Sequence, residues 1–182
     1  MKTIDLLNAY LADLTIAERN IHILHWNVNG KSFKSVHEYF GDIYEDIYNK
    51  IDEVAEMIRI HGEIPDGNLS DNIEKSSIEE IEAKNKFNHV EAIGLAKQDI
   101  EKLIDKANEL FEASESDKLY DVNDAMGSYI ADFGKYKYFL ENFDDQAGEI
   151  KDTVDIDNLD KDEESPTENE KIDDVVKDLD LD

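Results

Sequence analysis

Residues 24–59, LHWNVNGKSFKSVHEYFGDIYEDIYNKIDEVAEMIR, decide how this chain is read. From Val36 onward, Phe40, Ile43, Tyr44, Ile47, Ile51, Val54 and Ile58 recur at the three-and-four spacing of one helix face. Ser35-Val36-His37-Glu38 has the form of a capping box, which predicts a helix starting near Ser35 and closing at His61-Gly62. Asn29-Gly30-Lys31 separates it from an earlier helix over about residues 3–28, with Thr3 placed to cap its start. That helix carries Leu6, Leu7, Tyr10, Leu11, Leu14, Ala17, Ile21, Leu24 and Val28. Downstream, Pro65, Gly67 and Asn68 form a loop, and a short helical piece is expected over residues 70–75. A third helix is predicted over residues 78–113 and a fourth over residues 122–143, each with apolar residues at helical spacing. Two helical hairpins joined by a longer connection describe an all-α four-helix bundle with one crossover and a short helix within it. No strand-like alternation and no internal repeat interrupts this pattern.

Composition narrows the function classes. The chain has 182 residues, 40% of them hydrophobic, enough for one buried core. The absence of cysteine excludes disulfides, thiolate catalysis and sulfur-rich metal sites. No apolar run approaches a membrane span, and Asp5 and Asp13 stand where a signal peptide would be uncharged, so a cytoplasmic protein is expected. The net charge of −27 argues against nucleic acid as partner, because binding a polyanion depends on Lys and Arg displacing its counterions. Such a surface attracts cations instead. The balance shifts again after Gly148. Residues 149–182 hold 15 Asp or Glu against 4 Lys and no aromatic residue, too little apolar surface to offset ordering entropy. The expected organisation is a bundle over residues 1–148 and an acidic tail over residues 149–182. The stripe Ile172, Val175, Val176 and Leu179 could let the end of that tail dock on an unknown partner.

The residues that carry chemistry sit around the first turn. His22 and His25 lie one turn apart at the end of the first helix, and His37 opens the second. Asp52 and Glu56 share a face further along it. Fifteen residues of helix separate His37 from Asp52, about 22 Å at 1.5 Å per residue. One chain therefore cannot bring all four to one metal, whereas a second chain running antiparallel could, and a two-fold dimer would hold two such sites. His37, Asp52, Glu56, Tyr48 and Arg59 fall on an arc beside the apolar stripe, where a second subunit could cover them. Two imidazoles and two carboxylates suit ferrous iron, and zinc or manganese would also fit. Taken singly, each His is more often a packing residue and each carboxylate part of a solvated face. The joint spacing is what carries the reading.

Leu24-His25-Trp26-Asn27-Val28-Asn29-Gly30, Phe33, Val36-His37-Glu38-Tyr39-Phe40 and Ile51-Asp52-Glu53-Val54-Ala55-Glu56 together resemble the signature of the Dps family, the mini-ferritins. The spacing His-x11-His-x14-Asp-x3-Glu is kept in full, and Gly62-Glu63-Ile64-Pro65, Leu69 and Ser77-Ile78-Glu80 resemble that family's connection between hairpins. The resemblance covers about residues 6–143. It implies a ferritin-like fold and a dodecamer with a ferroxidase site at each two-fold interface, His25 and His37 from one subunit and Asp52 and Glu56 from its neighbour. It further implies oxidation of Fe(II), preferably by hydrogen peroxide, and storage of ferric iron inside the shell, which protects against oxidative stress. Trp26 and Tyr48 are candidates to trap stray oxidising equivalents. Asp117, Asp121 and Asp124 are candidates to draw cations through a three-fold pore, although acids at a helix start also simply favour its dipole.

Two departures matter. The family usually has an acidic residue four positions after the second His, and here that position is Gly41. Asp42 is rotated about 100° away, which leaves His22 or Glu45 as candidates to compensate. Members that coat DNA usually do so with a Lys-rich tail, and this chain has only Lys2 at one end and an acidic tail at the other, so no DNA binding is expected. Ordinary ferritins pair Glu-x-x-His motifs within one bundle, and no Glu-x-x-His occurs here. The alternative to the ferroxidase is a non-enzymatic shell or scaffold with a decayed metal site, acting through its acidic tail.

Overall fold

A computed structural model describes residues 2–147 of the chain. The elements run α1 (Lys2–Asn27), β1 (Val28–Asn29), α2 (Phe33–Ile60), α3 (Leu69–Lys75), β2 (Phe87–Asn88), α4 (His89–Asp117) and α5 (Tyr120–Ala147). The two long hairpins, α1–α2 and α4–α5, are joined by a crossover containing α3, the expected four-helix bundle. The acidic segment 149–182, its stripe at residues 172–179 and the boundary at residue 148 lie outside the described residues.

Helix α1 is buried on most of its circumference, from Ile4 and Leu7 through Tyr10, Leu14, Ile16 and Ile21 to Leu24, because it packs against α2, α3 and α4. Helix α2 is different. Its buried residues form one stripe of Val36, Phe40, Ile43, Ile47, Lys50, Val54, Met57 and Ile58, which leaves the rest of its circumference bare. Full burial of side chains such as Leu14, Phe40, Ile47 and Phe133 contributes about 1.5–3 kcal/mol each. Lys50 interrupts the α2 stripe without an uncompensated charge. Its ammonium donates to both Asp46 oxygens at 2.9 Å and to Asp132 of α5 at 3.0 Å, over the faces of Tyr129 and Phe133.

Five local expectations are corrected. Thr3 does not cap α1 but lies inside it, fully buried, and its hydroxyl donates to Asp117 at the end of α4 at 2.6 Å. The capping box at Ser35 does not form: α2 begins at Phe33, and the Ser35 hydroxyl donates to the Ser32 carbonyl instead. The helix expected from residue 78 begins at His89, where Asn88 accepts a hydrogen bond from the Glu91 amide. The residues before it form no helix, and β2 pairs in parallel with β1, Val28 opposite Phe87, where no strand was expected. The apolar pair Ile78 and Ile81 has helical spacing, yet both simply face the core from an irregular, non-helical segment. Helix α5 begins two residues earlier and ends four later than its sequence reading.

The crossover is held by buried polar groups of α1. The Asn20 amide donates to the Glu79 carbonyl and to Asp99 of α4, both at 2.9 Å, and its oxygen accepts from the Ile81 amide at 3.0 Å. Asp13 accepts from both Ser76 and Ser77 hydroxyls and from the Ser77 amide. A buried donor or acceptor left without these partners costs about 1–3 kcal/mol.

Burial pushes the Asp99 carboxyl up to about 6, against the lowering effects of its Asn20 bond and of Lys102, while Asp13 adds to the rise. The folded state therefore holds a proton that the unfolded chain releases. This stabilisation is complete below about pH 4 and is lost as pH rises through about 6. Asp99→Asn, neutral at every pH, is expected to flatten that slope and to exceed the wild type at pH 7 by about 3 kcal/mol. Urea unfolding at pH 4 and pH 7 checks this, and a variant less stable than wild type at pH 7 refutes it.

Candidate metal centre

The turn between α1 and α2 brings two histidines face to face. Gly30 takes φ +111°, a conformation costly for other residues, and a Cβ there would meet the His89 ring at 3.2 Å. The resulting tight turn, closed by Phe33 N–H to Gly30 carbonyl at 3.1 Å, sets His25 of α1 against His37 of α2. Their rings stack with centroids 3.7 Å apart and planes 20° apart. Each ring donates from Nδ1 to the other residue's backbone carbonyl, both at 2.7 Å. A carbonyl can only accept, so both Nδ1 atoms carry the proton, and each neutral imidazole keeps its lone pair on Nε2. This is how metal-ligating histidines are commonly fixed. Burial lowers the His25 pKa below its ordinary value, and the neighbouring His37 and His22 charges add to the effect, against the bond to the His37 carbonyl.

Asp52 and Glu56 are exposed on the bare face of α2, far along the helix from His37. Asp52 borders an open surface hollow of about 550 Å³ with Tyr48, Asn49, Ile51 and Glu53. Among the described residues, no three His, Asp or Glu side chains of one chain gather closely enough to hold a metal ion. Within one chain, therefore, the imidazoles are paired and the carboxylates stand apart. Trp26 and Tyr48 are both exposed, at 55% and 66%. Arg59 is bonded to the Glu63 carbonyl.

The acids considered for cation uptake are only partly free. Asp117 ends α4 rather than starting α5, and its carboxyl lies below the ordinary range because the Thr3 hydroxyl and amide donate to it. Asp121 pairs with His61 at 2.9 Å, and Asp124 is exposed on α5.

Sequence reading missed how His22 is held. Its Nδ1 bonds Glu18 at 3.0 Å, and its ring stacks on Tyr44 at 4.0 Å and meets Trp26 at 4.3 Å. The four-residue spacing of Glu18 and His22 was the available signal.

Gly41 lies on a regular stretch of α2, and a Cβ there would meet the His25 ring at 3.6 Å, an ordinary contact. Nothing in the backbone requires glycine. Gly41→Ala is therefore expected to stabilise the protein by about 0.5–1 kcal/mol, seen as a higher denaturation midpoint. A lower midpoint would show that the space above His25 must stay empty for the fold itself.

The description Ferritin-like domain belongs to a family model that matches residues 4–150. The DNA protection during starvation protein of Helicobacter pylori is 31% identical over 117 residues, which cover 64% of this chain and 81% of that protein. DNA protection during starvation protein 2 of Bacillus anthracis is 35% identical over 79 residues, 43% of this chain and 54% of that protein. The matched part thus spans about half the length of the latter relative. Among solved structures, Dps from Listeria innocua soaked with cobalt superposes with a TM-score of 0.75 at 26% identity, covering 78% of this chain and 90% of that one. A bundle of this topology, matched along nearly all its length by a ferritin-like family model and by Dps proteins in sequence and fold, makes the chain a member of the Dps family of ferritin-like proteins.

Proposed function

We propose that this protein is an iron-storing ferroxidase whose metal centres form between subunits. His25 and His37 of one subunit and Asp52 and Glu56 of its two-fold neighbour are the ligands. The observation that carries this reading is the pair of stacked imidazoles, each locked at Nδ1 with Nε2 left free, on a chain whose suitable carboxylates lie too far along α2 to reach them. Carboxylates exposed on the bare arc of α2 supply the missing half when two α2 helices run antiparallel. The ligand set suits ferrous iron, the substrate, and would also accept zinc or manganese.

In the reaction, two ferrous ions each give one electron to hydrogen peroxide, which takes up two protons and leaves as two waters. The locked imidazoles bind without reorganising, and their carbonyl bonds raise the basicity of Nε2. The partner's carboxylates offset the charge that grows as iron becomes ferric. Trp26 and Tyr48, exposed beside this region, are placed to take up stray oxidising equivalents. Asp121 and Asp124 are candidates to draw cations in. The product is stored as ferric iron in a homo-oligomeric shell, a dodecamer by family analogy. With a net charge of −27 on each chain, the shell acts against oxidative stress without coating DNA.

The test is anaerobic Fe(II) titration of the purified assembly followed by hydrogen peroxide, read by absorbance. His37→Ala and Asp52→Ala should each abolish rapid oxidation and saturable binding at this centre. Assemblies mixed from equal amounts of the two variants should regain about a quarter of the intact centres, because in a mixed dimer one interface receives all four native ligands. No recovery on mixing would place the ligands within one subunit. Oxidation at the rate of free iron in the wild type would instead favour the scaffold with a decayed site. Retardation of duplex DNA at low salt would overturn the exclusion of DNA.

A further inference from the structure

His22 belongs to neither half of the proposed ligand set, yet it is held as His25 and His37 are. Its Nδ1 is bonded at 3.0 Å to Glu18, whose side chain is only 12% exposed, so the ring donates there and the lone pair is on Nε2. A carboxylate behind an imidazole is the common support of a metal-bound histidine. Stacking on Tyr44 at 4.0 Å, with planes 11° apart, fixes the ring's remaining freedom. His22, Tyr44, Glu45 and Tyr48 border a single open hollow of about 450 Å³, with Arg19 at its margin. Arg19 is half-exposed and is paired with Glu18 at 3.9 Å, so its charge is partly offset. The His22 ring lies 6.1 Å from the His25 ring, and Gly41 puts no side chain between α2 and His25.

We propose that His22 Nε2 and Glu45 hold a second divalent cation beside the His25–His37 centre. The position of Glu45 in the dimer supports this and rests on the interface reading above. If His37 of one subunit meets the partner's Asp52, residues facing each other on the two α2 helices have numbers that sum to about 89, so the two-fold axis passes near positions 44 and 45. The two copies of Glu45 then approach one another, and a cation relieves their repulsion. Two side chains from one subunit, water and the partner's Glu45 complete the coordination. No three ligands of a single chain are needed.

The experiment is anaerobic calorimetric titration of the full-length assembly with Fe(II), repeated with Zn(II). The wild type should bind one more equivalent, at a second affinity, than either Glu45→Gln or His22→Gln. His37→Ala should keep that equivalent while losing the other. Glu18→Gln should weaken it about 10-fold or more. Glu45 is exposed, so its variant isolates the carboxylate even if the His22 change disturbs the stack on Tyr44. Wild-type stoichiometry and affinity in Glu45→Gln overturn the proposal. If His37→Ala also titrates like wild type while Glu45→Gln loses an equivalent, the interface ferroxidase fails and this site stands. Absence of any metal binding by the wild type overturns both.

Discussion

The bundle depends on the burial of α1. A helix surrounded by α2, α3 and α4 must be apolar almost all round, but the crossover beside it brings backbone amides and carbonyls that need partners. Asn20 and Asp13 meet that need from within α1. They bind the crossover residues Ser76, Ser77, Glu79 and Ile81, and Asn20 also reaches Asp99. Satisfied polar groups of this kind fix one arrangement where apolar contacts alone would tolerate several. Here they hold the crossover out of a helix up to the short strand at Phe87, so that α4 starts only at His89. The antiparallel course of α1 and α4 follows, closed at its far end by Thr3 on Asp117.

That arrangement also explains which parts were legible in the sequence. The long helices were, because periodicity over twenty or more residues survives local exceptions. The start of α4 was not. Ile78 and Ile81 have helical spacing, and the buried amide that holds their segment out of a helix lies some sixty residues earlier in the chain. The false capping box at Ser35 has a similar cause: the turn that ends at Phe33 is set by Gly30 and its contact with His89, a tertiary fact. Lys50 was legible in principle, as a charge in an otherwise apolar stripe, but its partner Asp132 lies on another helix.

For the candidate site, the spacing of His25, His37, Asp52 and Glu56 suggested the residue types and a second chain, which the proposal above carries forward. It could not reveal the reciprocal Nδ1–carbonyl bonds, which depend on the path of the turn and decide which ring nitrogen is free. Nor could it separate the acids considered for cation uptake, of which Asp117 serves the start of α1 and Asp121 the histidine that follows α2.

The contrast between α1 and α2 links fold to chemistry. Helix α1 spends its circumference on the core, so its few chemically active residues emerge only near its end, at Glu18, His22 and His25. Helix α2 buries one stripe and leaves exposed residues on its other side. The exposed side of this 28-residue helix carries its groups in a line, and only an antiparallel copy can fold that line back on itself. His37 and Asp52 stand on either side of the midpoint of that line. On the reading proposed here, two-fold symmetry therefore decides more than the oligomer. It sets which carboxylate meets which imidazole, and it brings Glu45, harmless on an isolated subunit, against its own copy at the axis. A cation there would serve the assembly and the iron chemistry together.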